Sequence, residues 1–147
     1  MLDSPLIFRK GLDRKREVAH ILAESYHSDL VARVKQEGFR YESGRLTVHL
    51  AREFGFCYGV ERAIDLAYAA RKVFPDRRIS LLGEIIHNPE VNAQLAAMGI
   101  RHLVAHPAEA DIQALGAEDV IIIPAFGAKI ATVEAIKSRG CQIVDTT

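Results

Sequence analysis

The chain has 147 residues, 49% of them hydrophobic and 26% charged, which is enough for one domain with a real core. Its 19 basic and 19 acidic residues give a formal net charge of 0; no bulk electrostatic case for nucleic acid or a membrane surface survives that balance. No apolar run approaches the ~20 residues of a membrane span. The amino terminus, "MLDSPLIFRKGLDRKRE", lacks a continuous apolar core behind its charges and does not read as a secretory signal. Two cysteines suit a reducing compartment, so the cytoplasm is the expected location.

In chain order, residues 13–37 read as helix, with Val18, Ile21, Leu22, Val31 and Val34 on one stripe. Ser25–Ser28 interrupts it, Ser28 serves as a cap for a second segment, and Gly38 stops it. "RLTVHLARE", residues 45–53, alternates apolar and polar and reads as a strand. A glycine-flanked turn, "GFCYG", follows, and then a helix whose face is Val60, Ala63, Ile64, Ala67 and Phe74, ending before Pro75. "RISLLG" is a strand, and "HNPEVNAQLAAMG" a helix with Asn88 as N-cap, Pro89 at its first position and Gly99 at its end. "IRHLV" is a short strand, residues 105–118 are a connection with some helix, and "EDVIIIPAFG" is a buried strand ending in a loop. "AKIATVEAIKSRG" is a helix and "CQIVDTT" the last strand.

From residue 45 this alternation implies an α/β fold: a mainly parallel sheet with helices on both faces. Residues 1–44 form a helical extension and residues 45–147 the α/β domain. No internal repeat or low-complexity tract is evident. Ligands of such sheets bind off the carboxyl ends of the strands, which singles out the loops at 54–59, 83–88 and 124–128 and the segment 145–147.

Cys57 lies on the first of these, where strand gives way to helix, between Gly55 and Gly59. A helix start favours thiolate over thiol, and glycines permit unusual backbone angles and close approach. Metal ligation, nucleophilic chemistry and plain burial as a small hydrophobe all stay open on this ground. His87, at a strand end before a capped helix, would suit a phosphate group together with the helix-start amides; a simple loop hydrogen bond is the alternative. Neither a G-x-G-x-x-G fingerprint nor a G-x-x-x-x-G-K-[ST] loop occurs. Cys141 opens the last strand, at the opposite end of the sheet from Cys57, and reads as structural. His20, His27, His49, His102 and His106 show no metal-like spacing.

"EFGFCYGVERAI", "EIIHNPEVN", "PAFGA" and "GCQIVDTT", in this order, resemble the amino-terminal portion of the 4-hydroxy-3-methylbut-2-enyl diphosphate reductase family. The segment before residue 45 is similar to the longer branch of cyanobacteria and plants. The resemblance implies one of three α/β domains around a 4Fe–4S cluster, each domain giving one cysteine. It also implies reductive removal of the hydroxyl of an allylic diphosphate, the last step of the methylerythritol phosphate route to isoprenoids. Electrons would come from a ferredoxin- or flavodoxin-type donor. Carried over, Cys57 matches the first cluster ligand and His87 the histidine that contacts the diphosphate.

Many members have a second histidine where this chain has Phe126, so a phosphate contact there would have to come from backbone amides or another residue. The family's second ligand cysteine would directly follow "VDTT", and the third lies further on, so the chain as given is expected to be an inactive fragment with the other domains absent. A non-catalytic α/β module for a phosphorylated small molecule is the alternative reading.

Overall fold

The computed structural model describes residues 7–8, 12–25 and 27–147. The rest of the amino-terminal stretch discussed above, and Tyr26 within the Ser25–Ser28 interruption, lie outside the described residues. The order of elements is β1 (Ile7–Phe8), α1 (Lys15–Ser25), α2 (Asp29–Gln36), β2 (Arg40–Ser43), β3 (Leu46–His49), α3 (Tyr58–Val73), β4 (Arg78–Leu82), α4 (Pro89–Ala97), β5 (Ile100–Leu103), α5 (Glu109–Gln113), β6 (Asp119–Ile123), α6 (Ile130–Ser138) and β7 (Gln142–Asp145).

Five strands form one sheet in the order β1-β7-β6-β4-β5, every pairing parallel. The register aligns Ile79 of β4 with both Ile100 of β5 and Val120 of β6, and Ile121 of β6 with Ile143 of β7. A parallel sheet is covered on both faces, so its central strands read as unbroken apolar runs; all five residues of β6, "DVIII", are buried. Side chains alternate between the faces. Ile79, Leu81, Val120, Ile122 and Val144 pack with Val18 of α1, the buried stripe of α3, and Val91 and Leu95 of α4. Leu82, Ile121, Ile123 and Ile143 pack on the other side with Leu115, Ile136 and Val133.

Helix α3 reaches its face closely because Ala63, Ala67 and Ala70 are fully buried on neighbouring turns. Ser28 caps α2 as expected, its Oγ accepting from the Val31 amide at 3.3 Å.

The strand expected over 45–53 is only Leu46–His49, and it is not part of the parallel sheet. It pairs antiparallel with β2 in a separate two-stranded sheet, and all four of its residues are exposed. Its turn holds Gly44 at φ +59, and the pairing joins residues on both sides of position 44. Alternation marks a strand with one apolar side but does not say which sheet receives it. The fifth place in the parallel sheet is taken by β1, against β7.

Ile122, fully buried in the central strand, tests the core directly. Ile122→Ala should lower unfolding stability by about 2–5 kcal/mol, read as a drop in urea midpoint at unchanged slope.

Candidate functional site at the carboxyl edge of the sheet

Because the five strands are parallel, their carboxyl ends share one edge. From β4 the chain crosses through α4 to β5 on one side, then returns through α5 to β6 on the other side of β4. The loops after β4 and β6 therefore diverge, the arrangement that opens a crevice in α/β sheets. His87 is on the first of these loops and Phe126 on the second, and their rings stack with centroids 5.2 Å apart and planes 17° apart.

The loop after β4 is pinned from below. Ile85 and Ile86 are buried, and Asn92 Nδ2 donates to the Ile86 carbonyl at 2.9 Å. Gly83 takes φ +81 and has Ala105 Cβ 3.2 Å from where its own Cβ would stand, so only glycine fits there without strain. His87 projects from this base with its side chain 82% exposed, and its Nδ1 lies 2.9 Å from Glu84 Oε2.

The α4 start is less available to an anion than its sequence implies. Asn88 Oδ1 accepts from the amides of Glu90 and Val91 at 3.0 and 3.2 Å, and Pro89 has no amide hydrogen. This loop therefore offers an anion the His87 ring rather than those amides.

Cys57 is the N-cap residue of α3, in extended conformation, and its side chain makes no cap hydrogen bond. Its carbonyl accepts from the Glu61 amide at 2.9 Å. The thiol is free and exposed, which removes the reading of Cys57 as packing. Gly55 takes φ +122 to turn the chain into the helix, and a Cβ on Gly59 would meet open space. Helix α3 runs antiparallel to the strands, which brings its start to their carboxyl edge. Arg62 Nη1, in its second turn, donates to the Thr147 carbonyl just beyond β7 at 3.0 Å.

The segment after β7 is braced as well. The Thr146 hydroxyl donates to the Ile123 carbonyl at 2.7 Å, and the Thr147 amide and hydroxyl both donate to Asp145 Oδ1. Thr147 Cγ2 is 3.6 Å from the position a Cβ on Gly127 would occupy. Arg62 thus ties the start of α3 to Thr147, and the stacked rings tie the loop after β6 to the loop after β4.

Sequence reasoning placed Cys57, His87, the 124–128 loop and residues 145–147 on this edge, and the fold brings all of them there. It missed Glu84, Arg62 and the aromatic role of Phe126; the three-residue spacing of Glu84 from His87 in "GEIIH" was the available signal. A cavity of about 640 Å³ lies beside this edge, between residues 12–17 and α3, and reaches Tyr58 and Arg62 but neither Cys57 nor His87. Those two groups stand on open surface.

A 4Fe–4S cluster needs several thiolates. Cys57, being exposed, fits one such position. Among the described residues no group of three or more His, Cys, Asp or Glu side chains could hold a metal, and Cys141, the other cysteine, is buried. Of the two cysteines, Cys57 is the one placed to offer a thiolate at this surface.

With the architecture and this edge in view, the comparisons narrow the class. Residues 48–147 match the family model described as LytB protein, and the chain belongs to that family. It is 44% identical over 140 residues to the 4-hydroxy-3-methylbut-2-enyl diphosphate reductase of Acaryochloris marina, covering 95% of this chain and 34% of that protein. It is 41% identical over 139 residues to the protein of that name from Microcystis aeruginosa, again over 95% of this chain and 35% of the relative. A solved structure of (E)-4-hydroxy-3-methyl-but-2-enyl diphosphate reductase, described as the terminal enzyme of the non-mevalonate pathway, aligns over 66% of this chain and 32% of its own. Its TM-score is 0.52 and its sequence identity 31%. The chain spans about a third of the length of the relatives it matches. At 95% of this chain, both matches extend in front of residue 48.

No helix among the described residues is long and apolar enough to cross a membrane.

The two cysteines should separate cleanly by reactivity. In native protein, iodoacetamide should label Cys57 and leave Cys141 largely unmodified until denaturant is added, as read by peptide mass spectrometry. Burial, helped by the nearby Asp119 carboxylate, pushes the Cys141 thiol pKa up. The unfolded chain therefore loses this proton at lower pH than the folded chain does. The resulting contribution is present at neutral pH and is lost as pH rises past the ordinary thiol value of about 8.5. Cys141→Ala should flatten that alkaline decline in urea midpoint.

Proposed function

We propose that this chain acts as part of a 4-hydroxy-3-methylbut-2-enyl diphosphate reductase, supplying Cys57 as one thiolate ligand of a 4Fe–4S cluster and His87 as a contact to the substrate diphosphate. The observation that carries the reading is the exposed Cys57 thiol on the same sheet edge as His87, in a chain of this family. The reaction breaks the allylic C–O bond. The hydroxyl leaves as water, and two electrons and two protons are taken up, giving isopentenyl and dimethylallyl diphosphates.

The cluster, when bound, would supply electrons one at a time and Lewis-acid assistance to the departing hydroxyl. This chain's residues do the positioning. The exposed position at the α3 amino terminus lets the sulfur meet a bulky group. His87, held on a pinned loop, would engage the anionic end and so orient the substrate along the edge.

In this reading residues 1–44 are an extension, residues 45–147 are one of three α/β domains, and the protein works in the cytoplasm with a ferredoxin- or flavodoxin-type donor. The remaining thiolates come from outside the described surface, so the 147-residue chain alone should hold no stoichiometric cluster after anaerobic reconstitution with iron and sulfide.

A chimera tests the proposal. Joining this chain to the remaining two thirds of the Acaryochloris marina protein should give a reductase with a reconstitutable cluster. Cys57→Ser in the chimera should lower turnover by roughly three orders of magnitude or more, by loss of a cluster ligand. Turnover within tenfold of the parent would rule Cys57 out as a ligand. His87→Ala should raise KM more than it lowers kcat.

A further inference from the structure

His87 is an exposed side chain on a loop, and such a ring ordinarily samples several orientations and both neutral tautomers. Two contacts from the fold restrict it. Glu84 Oε2 lies 2.9 Å from Nδ1, and the Phe126 ring, itself 67% exposed, stacks beside it with centroids 5.2 Å apart. An ionised carboxylate only accepts hydrogen bonds, so the proton of this bond belongs to Nδ1. The contact on one ring nitrogen decides which nitrogen is left for a partner.

We propose that Glu84 and Phe126 are positioning residues that act through His87: Glu84 holds the ring with Nδ1 protonated, and Phe126 stacks beside it and fixes its plane, so that Nε2 is the ring nitrogen presented at the crevice. The idea rests on the diphosphate reading of His87. The group that meets a phosphate oxygen is then Nε2–H of the doubly protonated ring. Its charge is matched by the Glu84 carboxylate on one side and by the phosphate on the other. The two constraints come from different loops: Glu84 is fixed to the turn after β4, and Phe126 arrives only because β6 pairs with β4. The phenyl ring contributes no hydrogen bond to a phosphate; its part is to fix the donor that does.

Nitrogen-15 NMR of the imidazole in the 147-residue chain, with inorganic pyrophosphate as probe, tests this. In the wild type without pyrophosphate, neutral His87 should show a protonated Nδ1 and a bare Nε2. Adding pyrophosphate should move Nε2 to the protonated range. Glu84→Ala should shift the neutral ring towards the Nε2–H tautomer and weaken pyrophosphate binding by roughly three- to tenfold. Phe126→Leu should keep the tautomer and weaken binding by roughly two- to fivefold.

A wild-type ring already in the Nε2–H form, or a Glu84→Ala ring still protonated at Nδ1, would overturn the role of Glu84. Unchanged binding in Phe126→Leu would overturn that of Phe126. A wild-type ring with Nδ1 protonated but blind to pyrophosphate would overturn instead the diphosphate reading on which the proposal rests. Glu84 and Phe126 are both exposed enough for the variants to fold, which unchanged amide signals from β4 and β6 would verify.

Discussion

The pairing of β6 with β4, on the side opposite β5, is the constraint on which the site depends. A strand buried on both faces and bonded to a parallel neighbour on each side has one register and little freedom. Its carboxyl end is therefore a fixed point, and the loops leaving β4 and β6 start from fixed points and diverge. Phe126 and His87, 39 positions apart in the sequence, meet because of that pairing. The same sheet lets α3 return antiparallel along its face, so that Cys57 and Arg62 arrive at the edge where β7 ends.

The energetics of the edge differ from those of the core. Below it, isoleucine, leucine and valine from β4, β5, β6 and β7 are sealed against helices, and each contributes on the order of 1.5–3 kcal/mol by burial. At the edge itself Cys57, Tyr58, His87 and Phe126 are exposed. Exposed aromatic and thiol groups beside a braced backbone are what a surface completed by a partner or ligand presents, and they contribute little to stability as they stand. Rigidity is provided one layer down, by Ile85, Ile86, Asn92 and the Thr146 hydroxyl bond to Ile123.

The antiparallel hairpin shows where a sequence pattern reaches its limit. "RLTVHLARE" has the alternation of a half-buried strand, and a strand forms there, but it is a short one in a separate sheet with β2. Alternation reports the local environment of side chains and carries no information about which edge accepts the hydrogen bonds. The partner strand, "RYES", lacks an apolar alternation of its own and was invisible to that criterion; the Ser43–Gly44 turn pair was the signal that could have exposed it. Strand β1 was missed because two residues are too few for any period to show.

By itself the sequence determined the α/β class, the helix starts at Ser28 and Asn88, the apolar strands β4 and β6, the separation of Cys57 from Cys141 and, through its motifs, the family. All of these follow from periodicity, capping chemistry or contiguous residues, which are local properties. The strand order, the place of β1 beside β7, the exclusion of the hairpin from the main sheet, the occupation of the α4 amides by Asn88 and the assembly of Glu84, His87 and Phe126 were decided only in three dimensions. Each depends on which elements pack side by side, a choice made by burial of the whole core and by hydrogen-bond partners distant along the chain.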